Sequence, residues 1–256
     1  MISRNQVRKF VTAIACFFFP SKLLAYSLPL LGHTVSPKTK IGFSILYLDK
    51  LVLGENARIG HFNVIAARRL VLRESAQIGT LNVVRGPLSL WLQKDASIGN
   101  RNVVARARQG VTYSTAQLRL GERTKITAGH KIDCAASIIF GAFSILAGAG
   151  SQLWTHGYVH AQTGPGRYRV DGEIRIGDNV YLGSRVIVTG SVRIANGTLV
   201  GAGLTVARNL SEPGMYVSAP LRRLPIPDDP TTRNDMMQLD HAWLVETVFR
   251  KRNDNT

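Results

Sequence analysis

The stretch from Ile176 to Leu210, IGDNVYLGSRVIVTGSVRIANGTLVGAGLTVARNL, repeats every six residues. Ile176, Leu182, Val188, Ile194, Val200 and Val206 form one series. Four residues beyond each lies a second: Val180, Val186, Val192, Thr198, Leu204 and Leu210. A period of six is neither the spacing of an amphipathic helix nor the alternation of a half-buried strand, so the chain reads as a repeat protein. One form satisfies it: a solenoid of short β segments, in which one aliphatic side chain per hexad enters a narrow core. A small residue follows where the chain turns, here Gly177, Gly183, Ala195 and Gly201. Each coil would stack on the next at about 4.8 Å and satisfy its backbone groups through its neighbours.

The pattern extends back to Ile41 in looser form. Two-hexad units open at Leu53, Leu72, Leu92, Leu120, Phe140, Ile176 and Ile194, as in Leu53-GENAR-Ile59-Gly and Leu72-RESAQ-Ile78-Gly. Three hexads make one triangular coil, so most steps are single coils. Two steps are too long, from Leu92 to Leu120 and from Phe140 to Ile176. The first predicts an excursion carrying Arg106, Arg108 and Tyr113. The second predicts a loop over 157–173 carrying His160, Gly164, Pro165, Gly166, Arg167, Tyr168 and Arg169. Loops that leave a rigid scaffold are where function is usually placed. Asn63, Asn82 and Asn102 recur at one place in FNV, LNV and RNV, which predicts a stacked asparagine ladder at a coil corner.

The net charge of +16 on 256 residues implies an anionic partner: an acidic membrane surface, an acidic glycan or a phosphorylated cofactor. Nucleic acid is disfavoured, because the aromatic residues are not interleaved with the basic ones and no recognition motif is present. Cys16 and Cys134 form no disulfide framework and read as small apolar residues in a reducing compartment. At the amino terminus Arg4, Arg8 and Lys9 precede an apolar run from Phe10 to Phe19, and a second run follows Lys22. Pro20 and Lys22 interrupt the length a spanning helix needs. Two readings of residues 1–36 stay open, a monotopic membrane anchor over 1–32 or a cap on the first coil. After the solenoid domain, 37–224, the segment 225–256 predicts a stiff exit through Pro225, Pro227 and Pro230. A last helix from Asn234 or Asp235 to Arg250 is expected to cover the final coil.

Chemistry concentrates in SQLWTHGYVH, residues 151–160, where a coil ends and the long excursion departs. Histidine is the side chain whose ordinary pKa suits taking a proton from a hydroxyl near neutral pH, so His156 is the candidate base. IGDNVYLG, VGAGLTV and GMYVSAPLRR, together with the hexads, resemble the hexapeptide-repeat acyltransferases. That resemblance implies an all-β solenoid, a left-handed parallel β-helix, and a homotrimer that takes acetyl-CoA in grooves between protomers. It also implies a sugar or polysaccharide acceptor and His156 as the general base. Trp154, His160 and Asp133 are candidates on the acceptor side, with Trp154 shaping the pocket and Asp133 orienting His156 from an adjacent coil. By resemblance, Gly183, Ser184, Ala202 and Gly203 would meet the pantetheine arm, and Arg208, Arg222 and Arg223 its phosphates and adenine. The turn Ser218-Ala219-Pro220-Leu221-Arg222 departs from the family's usual sequence, which bears on the adenine contact.

The expected activity is O-acetylation of a surface glycan or its lipid-linked precursor by direct transfer. The expected location is the cytoplasm, peripheral to the inner face of the membrane if the first segment is an anchor. Three alternatives stay open: a non-catalytic solenoid scaffold, N-acetylation of an amino sugar, and a zinc site like that of γ-type carbonic anhydrases. The last would use His130, His156 and His160; otherwise no metal is expected.

Overall fold

The computed structural model describes residues 3–108, 111–112, 115–218, 222–224, 236–239 and 248–251, with side chains through residue 218. The hexads become short parallel strands that stack coil on coil in three faces. On the first face the inward residues run Val84, Val104, Ile132, Leu153, Val188 and Val206. On the second they run Leu92, Leu120, Phe140, Ile176 and Ile194. On the third they run Ile41, Ile59, Ile78, Ile98, Ile126, Leu146, Leu182 and Val200. All are buried in one continuous core. In the early coils Ile45–Leu53 and Val64–Leu72 run round from the first face to the second without a break. This is the parallel β-helix that the period predicts.

Coil spacing explains the small residue after each inward aliphatic. The N–H of Gly79 donates to the Ile98 carbonyl at 2.8 Å. A Cβ on Gly79 would stand 2.6 Å from the Gly99 carbonyl oxygen, so no side chain fits between the coils there.

The asparagine ladder forms at the corner between the third face and the first. Asn82 Nδ2 donates to Asn63 Oδ1 at 3.0 Å, and Asn102 Nδ2 to Asn82 Oδ1 at 3.1 Å. It is longer than the asparagines alone indicate. Ser44 Oγ accepts the Asn63 N–H at 3.0 Å, and Asn102 Oδ1 accepts the His130 N–H at 3.0 Å. His130 Nδ1 then accepts the Ser151 N–H at 3.2 Å, and Ser151 Oγ accepts the Val186 N–H at 3.2 Å. Burial pushes the His130 pKa down to about 4, so this is a neutral ring whose Nε2–H donates to Thr127 Oγ1 at 3.0 Å.

Two helices close the amino-terminal end, α1 (Arg4–Phe18) and α2 (Ser21–Leu30). Ser3 and Gln6 cap α1 reciprocally: Ser3 Oγ accepts the Gln6 N–H, and Gln6 Oε1 accepts the Ser3 N–H. The helix stops before Pro20, which cannot continue it. Ala15, Cys16, Leu24 and Leu28 join the solenoid core. His33, also buried, ties α1 down: its Nδ1 accepts the Leu51 N–H at 3.1 Å and its Nε2–H donates to Thr12 Oγ1 at 2.9 Å. The segment therefore packs over the first coils of the stack. No helix among the described residues is long and apolar enough to cross a membrane.

At the other end the expected last helix is not what the described residues form. Met236–Leu239 and Val248–Lys251 pair as antiparallel strands, and Arg222–Leu224 folds back antiparallel on Met215–Val217. Met237 and Val248 thus sit in paired strands, because tertiary pairing overrides a weak periodic signal. Asn234, Asp235, Trp243 and Leu244 lie outside the described residues.

Candidate active site

The first face ends at a corner where Arg85, Ala105, Asp133, Trp154 and Thr189 stand in register on successive coils. Both long steps of the sequence leave the stack at this corner, one after Ala105 and the other after Trp154. Phe140 still pairs with Ile176 beneath the second excursion, so the coil closes under it. The segment expected as a loop over 157–173 is an antiparallel hairpin, His156–His160 with Arg167–Asp171. The aromatic and β-branched residues Tyr158, Val159, Tyr168 and Val170 suit a two-stranded ribbon, and Gly164, at φ +74°, serves the turn.

The start of the hairpin brings His156 over Asp133 of the preceding coil. Nδ1 of His156 lies 2.8 Å from Oδ2 of Asp133. The same oxygen accepts from the Thr155 hydroxyl at 2.8 Å and from the Ala135 N–H at 3.3 Å. Thr155 is fully buried, and its oxygen accepts the Ala136 N–H at 3.0 Å. A carboxylate only accepts, so Nδ1 carries the proton and the lone pair of a neutral ring stands on Nε2. The Asp133 side chain is 12% exposed and His156 24%, so the ring reaches solvent while its partner scarcely does.

His156 opens onto a cavity of about 280 Å³ lined also by Trp154, Tyr158, Val170, Thr189 and Ser191. Trp154 and Tyr158 stand edge-on to the imidazole on either side, each 6.1 Å between ring centroids. Arg167 lies over the Tyr158 ring at 5.0 Å. Gly172 lets the returning strand approach the next coil, since a Cβ there would stand 2.0 Å from Ser191 Oγ.

Arg106, from the first excursion, is buried behind the site. Its Nη1 donates to the Ala135 carbonyl at 2.8 Å and to the Cys134 carbonyl at 3.2 Å, and its Nη2 to Thr112 Oγ1 at 2.9 Å. Burial, and then Arg68, push its pKa below the ordinary guanidinium value; the nearby Asp133 and Asp171 act the other way. Arg106 thereby holds the turn that follows Asp133.

Asp133, Trp154 and His156 are thus brought together, while His160, further along the hairpin, does not line the cavity. His130 is committed to the corner ladder, and no group of three metal-ligating side chains gathers among the described residues. Gly183, Ser184, Ala202 and Gly203 lie at the corner before the first-face strands 187–189 and 205–206, at the opposite end of that face from His156. Gly183 is buried, and its Cβ would stand 2.7 Å from the Ala202 N, so its smallness serves coil stacking. Arg208 is exposed beyond the far end of the strand Thr205–Val206. Arg222 and Arg223 sit in the returning strand, and their side chains lie outside the described residues, as does Tyr113. The sequence pattern does not single out Tyr158, Thr189 or Ser191, which also line the cavity. The alternation Trp154, His156, Tyr158 was the available signal for the first of them.

No protein-family model matches the sequence, and no curated protein does. Among solved structures, the polysialic acid O-acetyltransferase OatWY matches 75% of this chain and 83% of its own, with a TM-score of 0.50 at 18% identity. The polySia-specific acetyltransferase NeuO matches 72% of this chain and 84% of its own, with a TM-score of 0.41 at 16% identity. A hexapeptide-repeat acetyltransferase of Vibrio cholerae O1 biovar eltor, complexed with acetyl-CoA, matches 88% of each chain, with a TM-score of 0.39 at 14% identity. What the likeness to OatWY establishes is the fold: this chain is a β-solenoid of the same kind.

Proposed function

We propose that the chain is an acyl-CoA-dependent acyltransferase that moves an acetyl group from acetyl-CoA to a hydroxyl of an acidic sugar or polysaccharide. The observation that carries this reading is the 2.8 Å pairing of His156 Nδ1 with a largely buried Asp133, which leaves Nε2 free in the cavity. Nε2 takes the acceptor's hydroxyl proton as that oxygen attacks the acetyl carbonyl. The new C–O bond forms, the C–S bond breaks, and the imidazolium returns the proton to the departing sulfur. Asp133 stabilises the imidazolium between the two transfers, and no covalent enzyme intermediate is needed.

The corner at Ser184, Ala202 and Gly203 fits a pantetheine arm. Ala202 is exposed, and Gly203, at φ +77°, has open space where a Cβ would stand. Backbone groups there would bond the arm's amides, and the exposed Arg208 would face phosphate; the bound donor would supply the activated thioester. Because this corner and His156 lie at opposite ends of one face, we propose a homotrimer in which the corner of one protomer faces the histidine of the next. The charge of +16 and Arg167 beside the cavity favour an anionic acceptor, and OatWY, by its name, acts on polysialic acid.

The test is thioester cleavage with a polysialic acid acceptor, together with the glycan's mass. A gain of one acetyl group is expected, and His156→Ala is expected to lower the rate by about 10²–10⁴-fold. Equal rates for the two proteins would remove His156 from the chemistry.

A further inference from the structure

We infer that α1, α2 and the lysine-lined cavity beside their junction form a docking surface for an anionic phospholipid bilayer. The inference is independent of the catalytic reading, since it involves neither the His156 corner nor the thioester.

Helix α1 is amphipathic with its faces reversed. Toward the solenoid it presents small or polar groups, Thr12, Ala13, Ala15 and Cys16, all buried. Arg8 and Lys9 also face inward, Arg8 donating to the Asp49 carbonyl at 2.8 Å and Lys9 pairing with the Asp49 carboxylate at 2.6 Å. The large apolar residues lie on the other side, at the three- and four-residue spacing of one helical stripe: Val7, Phe10, Val11, Ile14, Phe17 and Phe18. Phe10 is 62% exposed and Phe18 67%. Helix α2 is apolar on both sides. It buries Leu24, Ala25 and Leu28, and leaves Leu23 exposed, Tyr26 73% exposed and Leu30 88% exposed. Capping the coil accounts for the inner faces and leaves the outer ones unexplained. Contiguous exposed aromatic and aliphatic side chains of this kind mark a partner.

The charges identify that partner. Residues 1–48 contain Arg4, Arg8, Lys9, Lys22, Lys38 and Lys40 and no aspartate or glutamate. Pro20, between the helices, and Ser21 and Lys22, at the start of α2, form part of the wall of an open cavity of about 600 Å³, which Lys38, Lys40, Phe43 and His61 also line. Lys38 is paired with Glu55, and among the described residues Lys22 and Lys40 make no ion pair. Apolar side chains beside such cations match acyl chains below and phosphate headgroups above. A second copy of this chain, bringing the same positive face, would add like charge to like charge.

The test is flotation of the full chain with vesicles of phosphatidylcholine alone and of phosphatidylcholine with phosphatidylglycerol. Binding to the anionic vesicles, weakened by salt, is expected. Phe10→Ser with Phe18→Ser is expected to lower partitioning by about tenfold or more, and Lys22→Glu with Lys40→Glu by a similar factor on anionic vesicles only. All four positions are on the surface, so thermal midpoints are expected to stay near that of the parent. The inference is overturned if the parent does not float with anionic vesicles or if the Phe variant floats as well as the parent. It is equally overturned if that variant instead breaks an oligomer without changing flotation, which would assign the face to a second copy.

Discussion

At the level of single residues the candidate site is a relay of acceptors and donors. Ala136 N–H, Thr155, Asp133 and His156 are linked in sequence, and Arg106 fixes the turn between them from behind. Asp133 acts through His156, so it is a positioning residue. Asp133→Asn replaces an acceptor-only group by an amide that also donates, and the ring is then free to present its Nε2–H to the acceptor. Acetyl transfer is expected to fall by about tenfold or more, with kcat reduced more than KM; the pH profile of the residual rate should differ from that of His156→Ala. An unchanged rate and profile would make the pairing merely structural. His156 was legible from its motif, whereas Thr155 and Arg106 were not. Their roles depend on which carbonyls and carboxylates lie across the coil boundary, and a one-dimensional pattern does not carry that.

At the level of elements, the coil and the hairpin are separable. The coil that bears His156 is closed by Phe140 pairing with Ile176 and by Trp154 pairing with Thr189, both independent of the hairpin tip. Replacing residues 159–168 by a two-residue Asn-Gly turn is therefore expected to leave the thermal midpoint within a few degrees of the parent, because loop length affects stability only weakly. The same change removes Arg167 from above Tyr158, so KM for an anionic acceptor is expected to rise while thioester affinity is unchanged. A collapse of the midpoint would show that the hairpin belongs to the fold. The length of the excursion was readable from the 36-residue step, but its form as a ribbon was not: the alternation in it is short and interrupted by Gly164, Pro165 and Gly166. The closing helix failed for a related reason. Its apolar spacing was equally compatible with strands once an antiparallel partner was present.

At the level of the whole molecule, two buried histidines make the stack sensitive to acid. Burial pushes His33 and His130 each to about 4 from the ordinary 6.5, with Arg8 and Lys50 adding to the effect at His33. Both folded values lie below the unfolded one, so the unfolded chain binds more protons between these limits. Their contribution to stability is complete above about pH 6.5, declines as pH falls from 6.5 toward 4, and changes no further below that. Thermal midpoints of the parent are expected to drop across this window. The double variant His33→Gln, His130→Gln is expected to start lower and to show a flatter dependence. His33 also links α1 to the first coil, so the cap is expected to loosen in the same interval.

The hexad period by itself determined that the chain stacks as a solenoid, because one aliphatic residue in six fits no other regular form that buries it. The size of the two long steps likewise determined where the stack is interrupted. Only the tertiary structure decided that both interruptions leave the same corner, that Asp133 and His156 face each other there, and that α1 buries its small side and exposes its large one. Those outcomes depend on which residues meet across coil boundaries, as where Asp133 pairs with Trp154 on the next coil. Packing and corner hydrogen bonds across the stack set those meetings, not the order of residues within a repeat.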